Sequence, residues 1–114
     1  MSQTTALGLT LLFEAIAVLL WHGRMGGRPG PLRLLVVAGC ASLLTHPFAW
    51  WANGALMGSL AMWPRIAVVE GAVIAAEAVL YRALAPLPWG RAIGLSAWAN
   101  GVSFGLGWLV FRLL

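Results

Sequence analysis

Two carboxylates, Glu70 and Glu77, lie seven residues apart in a run that is otherwise apolar from Ile66 to Leu80, and they constrain this chain more than any other feature. A helix turns once every 3.6 residues, so seven steps return to nearly the same face about 10 Å further along. Tyr81, four residues beyond Glu77, continues that face. Hydrocarbon cannot receive the acidic side of such a helix, so other helices must do so. The chain therefore has to fold as several helices around a shared polar interior.

Composition places that interior in a membrane. Of 114 residues, 61% are hydrophobic and only 9% charged, far from the balance of a water-soluble domain. No polar stretch is long enough to build a second domain, so residues 1–114 read as one integral membrane domain. The formal charge of +4 comes from arginines placed singly, mostly at the ends of apolar runs. That is anchor placement against a lipid bilayer, not a patch for nucleic acid. Cys40 has no partner cysteine, which excludes a disulfide framework and a thiolate metal cluster, and it reads as a small core residue.

Four apolar runs, about 4–21, 32–51, 63–84 and 89–112, are each long enough to cross a hydrocarbon core of roughly 30 Å. The fold class expected is all-α, a four-transmembrane-helix bundle. The first run lacks a basic leader, holds Glu14 and is followed by no small-x-small cleavage site, so it reads as a retained helix. Breaks fall at the Gly/Pro-rich stretch His22 to Pro31, at Ala52-Asn53-Gly54, and at Pro86 and Pro88. Pro64 suits the first turn of the third helix.

The loops joining helices 1 to 2 and 3 to 4 carry Arg24, Arg28, Arg33, Arg82 and Arg91, against Arg65 and Arg112 on the other side. The positive-inside rule puts those loops in the cytoplasm of a bacterial inner-membrane protein, with both termini outside. Trp21 and Trp89 then mark one interface and Trp50, Trp51, Trp63 and Trp108 the other, while Trp98 falls between and should pack in the bundle. Laying helix 2 on helix 4 with an offset of 58 aligns Arg33 with Arg91, Ala41 with Ala99, Ser42 with Asn100, Thr45 with Ser103 and Trp50 with Trp108. Glu14 matches Glu77 if the first loop is five residues longer. The expected arrangement is two parallel-repeat hairpins about an axis along the membrane normal.

Intramembrane acids are costly and by default mark a functional site facing the bundle interior. Glu14, Glu70 and Glu77 are the candidates, with Thr45, His46, Asn100 and Ser103 as polar partners. Pro47 frees the Leu43 carbonyl, an acceptor that a neighbour, water or ion should fill. His46, Glu77 and Glu70 are candidate metal ligands, yet no spacing here is diagnostic of a metal site. No serine or cysteine nucleophile stands at a recognisable spacing from a base, which weighs against an enzyme. No cofactor is strongly implied, a haem or pigment on His46 being a minor alternative. Small residues at four-residue intervals, Ala97, Gly101 and Gly105 in helix 4 and Ala67, Gly71 and Ala75 in helix 3, are expected to let helices approach closely.

In size, span number and the position of Glu14 the chain resembles the small multidrug resistance transporters, whose first-helix glutamate binds protons and cationic drugs in turn. The acids at Glu70 and Glu77 and the biased arginines depart from that pattern. It is more similar to small uncharacterised four-helix bacterial membrane proteins with an acid in helix 1 (Glu14), Thr-His-Pro in helix 2 (Thr45 to Pro47), Glu-x6-Glu-x3-Tyr in helix 3 (Glu70, Glu77, Tyr81) and Ala-Asn-x-x-Ser in helix 4 (Ala99, Asn100, Ser103). This second resemblance implies a fold but no activity. The residues thus point to a proton- or cation-handling transporter or permeation unit, and alternatively to an accessory subunit whose polar residues fasten helices together. A second copy of the chain or another membrane subunit is the expected protein partner.

Overall fold

A computed structural model describes residues 2–113 as four α-helices: α1 (Gln3–Met25), α2 (Pro31–Leu56), α3 (Met62–Leu84) and α4 (Trp89–Leu113). Each begins or ends where local chemistry requires it. Ser2 caps α1 by accepting from the Thr5 amide at 3.1 Å. Gly26 closes it with φ +62°, a left-handed conformation that suits glycine, while its N–H reaches the His22 carbonyl at 2.7 Å. Pro31 opens α2, where its missing amide costs nothing.

Two boundaries differ from expectation. Helix α1 runs through His22-Gly23-Arg24 to Met25, and α2 runs through Ala52-Asn53-Gly54 to Leu56. One glycine costs a helix only about 1 kcal/mol. At Asn53 a tertiary bond offsets that cost, because Arg65 Nε donates to Asn53 Oδ1 at 2.8 Å and ties the end of α2 to the start of α3.

The helices form a ring. Helix α1 packs on α2 and α4, and α3 packs on the same two, while the diagonal pairs make no comparable contact among the described residues. Short connections make the neighbours antiparallel, so the start of α1 and the end of α4 share one end of the bundle with the α2–α3 turn. Helices α1, α2 and α4 are long and apolar enough to cross a membrane. Helix α3, of similar length, carries Arg65, Glu70, Glu77 and Arg82 and does not qualify on composition.

The bundle buries a set of polar side chains beside its apolar ones and is greasy outside. Glu14, Ser42, Thr45, Glu77, Ser96, Asn100 and Ser103 are buried, whereas Leu12, Leu20, Leu32, Leu44, Trp51 and Leu113 are exposed. An exterior of large apolar side chains matches a surface solvated by lipid and, with three helices apolar enough to cross a membrane, makes the chain a membrane protein. The bundle also divides along its axis. At the arginine-rich end Val18, Leu34, Val37, Ala38, Tyr81, Leu87 and Leu95 form a dry plug, with Trp21 packed against it. The buried polar residues begin one turn above.

Two expectations need correction. Cys40 is exposed, because the buried positions of α2 (Leu34, Val37, Ala38, Ala41, Ser42, Thr45) follow a stripe from which Cys40 is displaced. The small-residue faces do not mediate close packing within the bundle. A Cβ added at Gly71, Gly101 or Gly105 would meet nothing within 4 Å, and all three glycines are exposed. Pro47 and Leu43 are likewise exposed. Trp98 is 43% exposed, yet its Nε1 donates to the Ala17 carbonyl at 2.9 Å and stitches α4 to α1 at mid-height.

Candidate functional site

Above the plug lies a cavity of about 360 Å³ with walls from all four helices. Glu14, Thr45, His46, Glu70, Glu77, Asn100 and Ser103, the seven candidates from the sequence, all line it. Helical periodicity explains why. Glu70, Val73 and Glu77 share one face of α3; Asn100, Ser103, Phe104 and Gly107 share one face of α4; Ser42, Thr45, Ala49 and Asn53 do so on α2.

At the floor, two acids are held by side chains from neighbouring helices. The Ser42 hydroxyl donates to Glu14 Oε2, joining α2 to α1. Thr45 Oγ1 donates to Glu77 Oε2 at 2.9 Å and Asn100 Nδ2 to Glu77 Oε1 at 2.6 Å, so α2 and α4 both close on α3. Asn100 Nδ2 also donates to the Ser96 carbonyl at 2.8 Å, which fixes the amide in place. Glu14 and Glu77 are 3% and 2% exposed, so these bonds replace water that the carboxyls have lost.

The two hairpins repeat this chemistry. Ser42 of α2 serves Glu14 of α1, and its aligned counterpart Asn100 of α4 serves Glu77 of α3. The correspondence then breaks: Thr45 reaches across to Glu77, while its counterpart Ser103 has no hydrogen-bond partner among the described residues. Ser103 is 9% exposed and lines the cavity.

Glu70 stands two turns nearer the termini, half-buried, with no side-chain partner among the described residues. His46 lines the wall with its ring centroid 6.0 Å from that of Trp50, and its Nε2 is buried without a partner. It bonds none of the carboxylates. Among the described residues no group of three or more His, Cys, Asp or Glu side chains is placed to hold a metal ion. His46, Glu77 and Glu70 thus share a cavity without forming a coordination shell.

Sequence reasoning omitted Thr10, Asn53, Trp50, Phe104 and Trp108 from the site, and it noted Ser42 without assigning it a place there. The signal was present. Thr10 precedes Glu14 by one turn, Ser42 precedes Thr45 by three residues and Asn53 follows it by eight, and Trp108 lies two turns from Asn100. Near the termini Trp63 and Trp108 pack with ring centroids 5.7 Å apart, and Arg112 lies 5.8 Å over the Trp108 ring. No arginine lines the cavity. Its polar lining is therefore three carboxyl groups with hydroxyls, amides and an imidazole, a set able to accept hydrogen bonds, hold a cation or pass a proton. No protein-family model, curated protein or solved structure matches this chain.

Proposed function

We propose that the protein is a small inner-membrane transporter or permeation unit for protons or cations, with all four helices spanning the bilayer. One observation carries this reading: three carboxyl groups from two helices line a single cavity that, among the described residues, no arginine lines. Helix α3 is shielded from lipid on its acidic side by α2 and α4, which makes its charge tolerable in a span. With Arg24, Arg28, Arg33, Arg82 and Arg91 at the plugged end, the positive-inside rule directs the cavity toward the outer face. The plug then forms the inner seal of an outward-facing state.

The test is flux in proteoliposomes. Glu77→Gln and Glu14→Gln keep side-chain shape, remove the charge and exchange one accepting oxygen for an amide donor, and each should abolish proton- or cation-driven flux while the purified variant stays monodisperse. Wild-type flux at the level of empty liposomes would sink the proposal.

A second reading rests on a different observation: every bond to Glu14 and Glu77 from another side chain crosses between helices. Such contacts average about 0.6 kcal/mol in membranes and reach about 1.7 kcal/mol, enough to fasten a subunit. In that case Glu77→Gln is tolerated, Glu77→Leu loosens the bundle, and no flux appears.

A further inference from the structure

The acids of the cavity stand at two levels. Glu14 and Glu77 form the floor with Ser42, Thr45 and Asn100, whereas Glu70 lies two turns higher on the same face of α3, about 10 Å along the axis. Between the levels the wall is apolar and aromatic, with Val73 on α3 and Phe104 on α4, and Val69 continues it beside Glu70. Such a wall suits methylene groups and gives a cation a ring face to lie against. The acids do not gather into a metal shell among the described residues. About one turn above Asn100, Ser103 lines the cavity nine-tenths buried and with no hydrogen-bond partner among the described residues, although its counterpart Thr45 is engaged with Glu77. That leaves a polar position beside the acids still to be filled.

We propose that the cavity binds a linear diammonium ion, one ammonium against Glu14 and Glu77 with the Ser103 hydroxyl just above them, the other against Glu70, and the methylene chain along Val73 and Phe104. The assignment rests on the cation-handling reading of the same cavity and names its ligand class. The length of the ligand follows from the spacing. Carboxyl levels about 10 Å apart, each approached to about 2.8 Å by an ammonium, call for a chain of about four to six methylenes. A cavity of about 360 Å³ is at the small end of ligand sites and accommodates such a chain with some water.

Isothermal titration of the full chain in mild detergent, with 1,6-diaminohexane, n-hexylamine and magnesium chloride at matched ionic strength, tests the assignment. The diamine should bind at least about tenfold more tightly than the monoamine, the ratio that one further charged contact supplies. Glu70→Gln, at a half-buried position away from the floor, should bring the diamine down to the affinity of the monoamine. In the unaltered protein, affinity along a diamine series should peak between four and six methylenes. Equal affinity for mono- and diamine, a preference that survives Glu70→Gln, or tighter binding of magnesium would overturn the assignment. If Glu77-dependent flux persists under any of these results, only the diammonium assignment fails. If no cation binds and none moves, the cation-handling reading fails with it.

Discussion

Asn100 Nδ2 lies 2.6 Å from Glu77 Oε1 and, at 2.8 Å, donates also to the carbonyl of Ser96 one turn earlier in its own helix. A single amide group therefore anchors an acid of α3 to the backbone of α4. With Thr45 on the other oxygen, both Glu77 oxygens are engaged by different helices. The acid at the cavity floor is thus held in one orientation by side chains of two other helices.

Removing this anchor should be costly. Asn100→Ala is expected to lower stability by about 1–3 kcal/mol, since it strips a buried carboxyl of one of its two donors. Thermal unfolding in detergent measures it. In a double-mutant cycle with Glu77→Gln, the coupling should be about 0.5–2 kcal/mol. Additive losses would show that the two side chains do not act together.

The plug should behave as a packed core. Leu95 is 0% exposed and joins Val18, Tyr81 and Ala92 in the apolar cluster. Leu95→Ala is expected to cost about 2–5 kcal/mol through lost contacts and the void left behind. The same change at Leu44, which is 67% exposed, should cost under about 1 kcal/mol, read by the same thermal unfolding.

Glycines on different faces should respond differently to alanine. A Cβ at Gly94 would lie 3.1 Å from the Trp21 ring, so Gly94→Ala obliges the indole to shift and should destabilise the α1–α4 contact by about 1 kcal/mol. At Gly101 a Cβ meets nothing within 4 Å, so Gly101→Ala should be neutral or slightly stabilising. Melting temperatures of the two variants decide the matter, and equal losses would contradict the packing described.

The orientation inferred from arginine placement can be checked by labelling. In a Cys40→Ser background, Gly58→Cys in the α2–α3 turn should react with a membrane-impermeant maleimide on intact cells, and Gly30→Cys should react only after lysis. The reverse pattern would place the cavity on the cytoplasmic side and make the plug an outer seal.

Much of the site was legible before the fold. Glu14, Glu70 and Glu77 stand out because an acid in an apolar run has so few permissible environments, and the offset that aligns Ser42 with Asn100 picked out two side chains that do serve paired acids. The small-residue faces misled because periodicity identifies a face but not its neighbour. Gly71, Gly101 and Gly105 form as regular a stripe as the polar residues, yet the ring of helices turns them outward. Cys40 failed for the same reason, its apolar character being equally at home in lipid.

What the sequence determined by itself was the solvent and the elements: four apolar helical runs, three of them apolar enough to span a membrane on composition alone, with polar side chains confined to one face of each. Those properties follow from local periodicity and from the cost of exposing backbone or charge to hydrocarbon. Only the tertiary structure decided which faces meet. It seated α3 between α2 and α4, gave Glu77 two donors and left Ser103 with none, and split the interior into a dry plug and a polar cavity. Those outcomes depend on how four stripes interlock at once, and no single stripe contains that information.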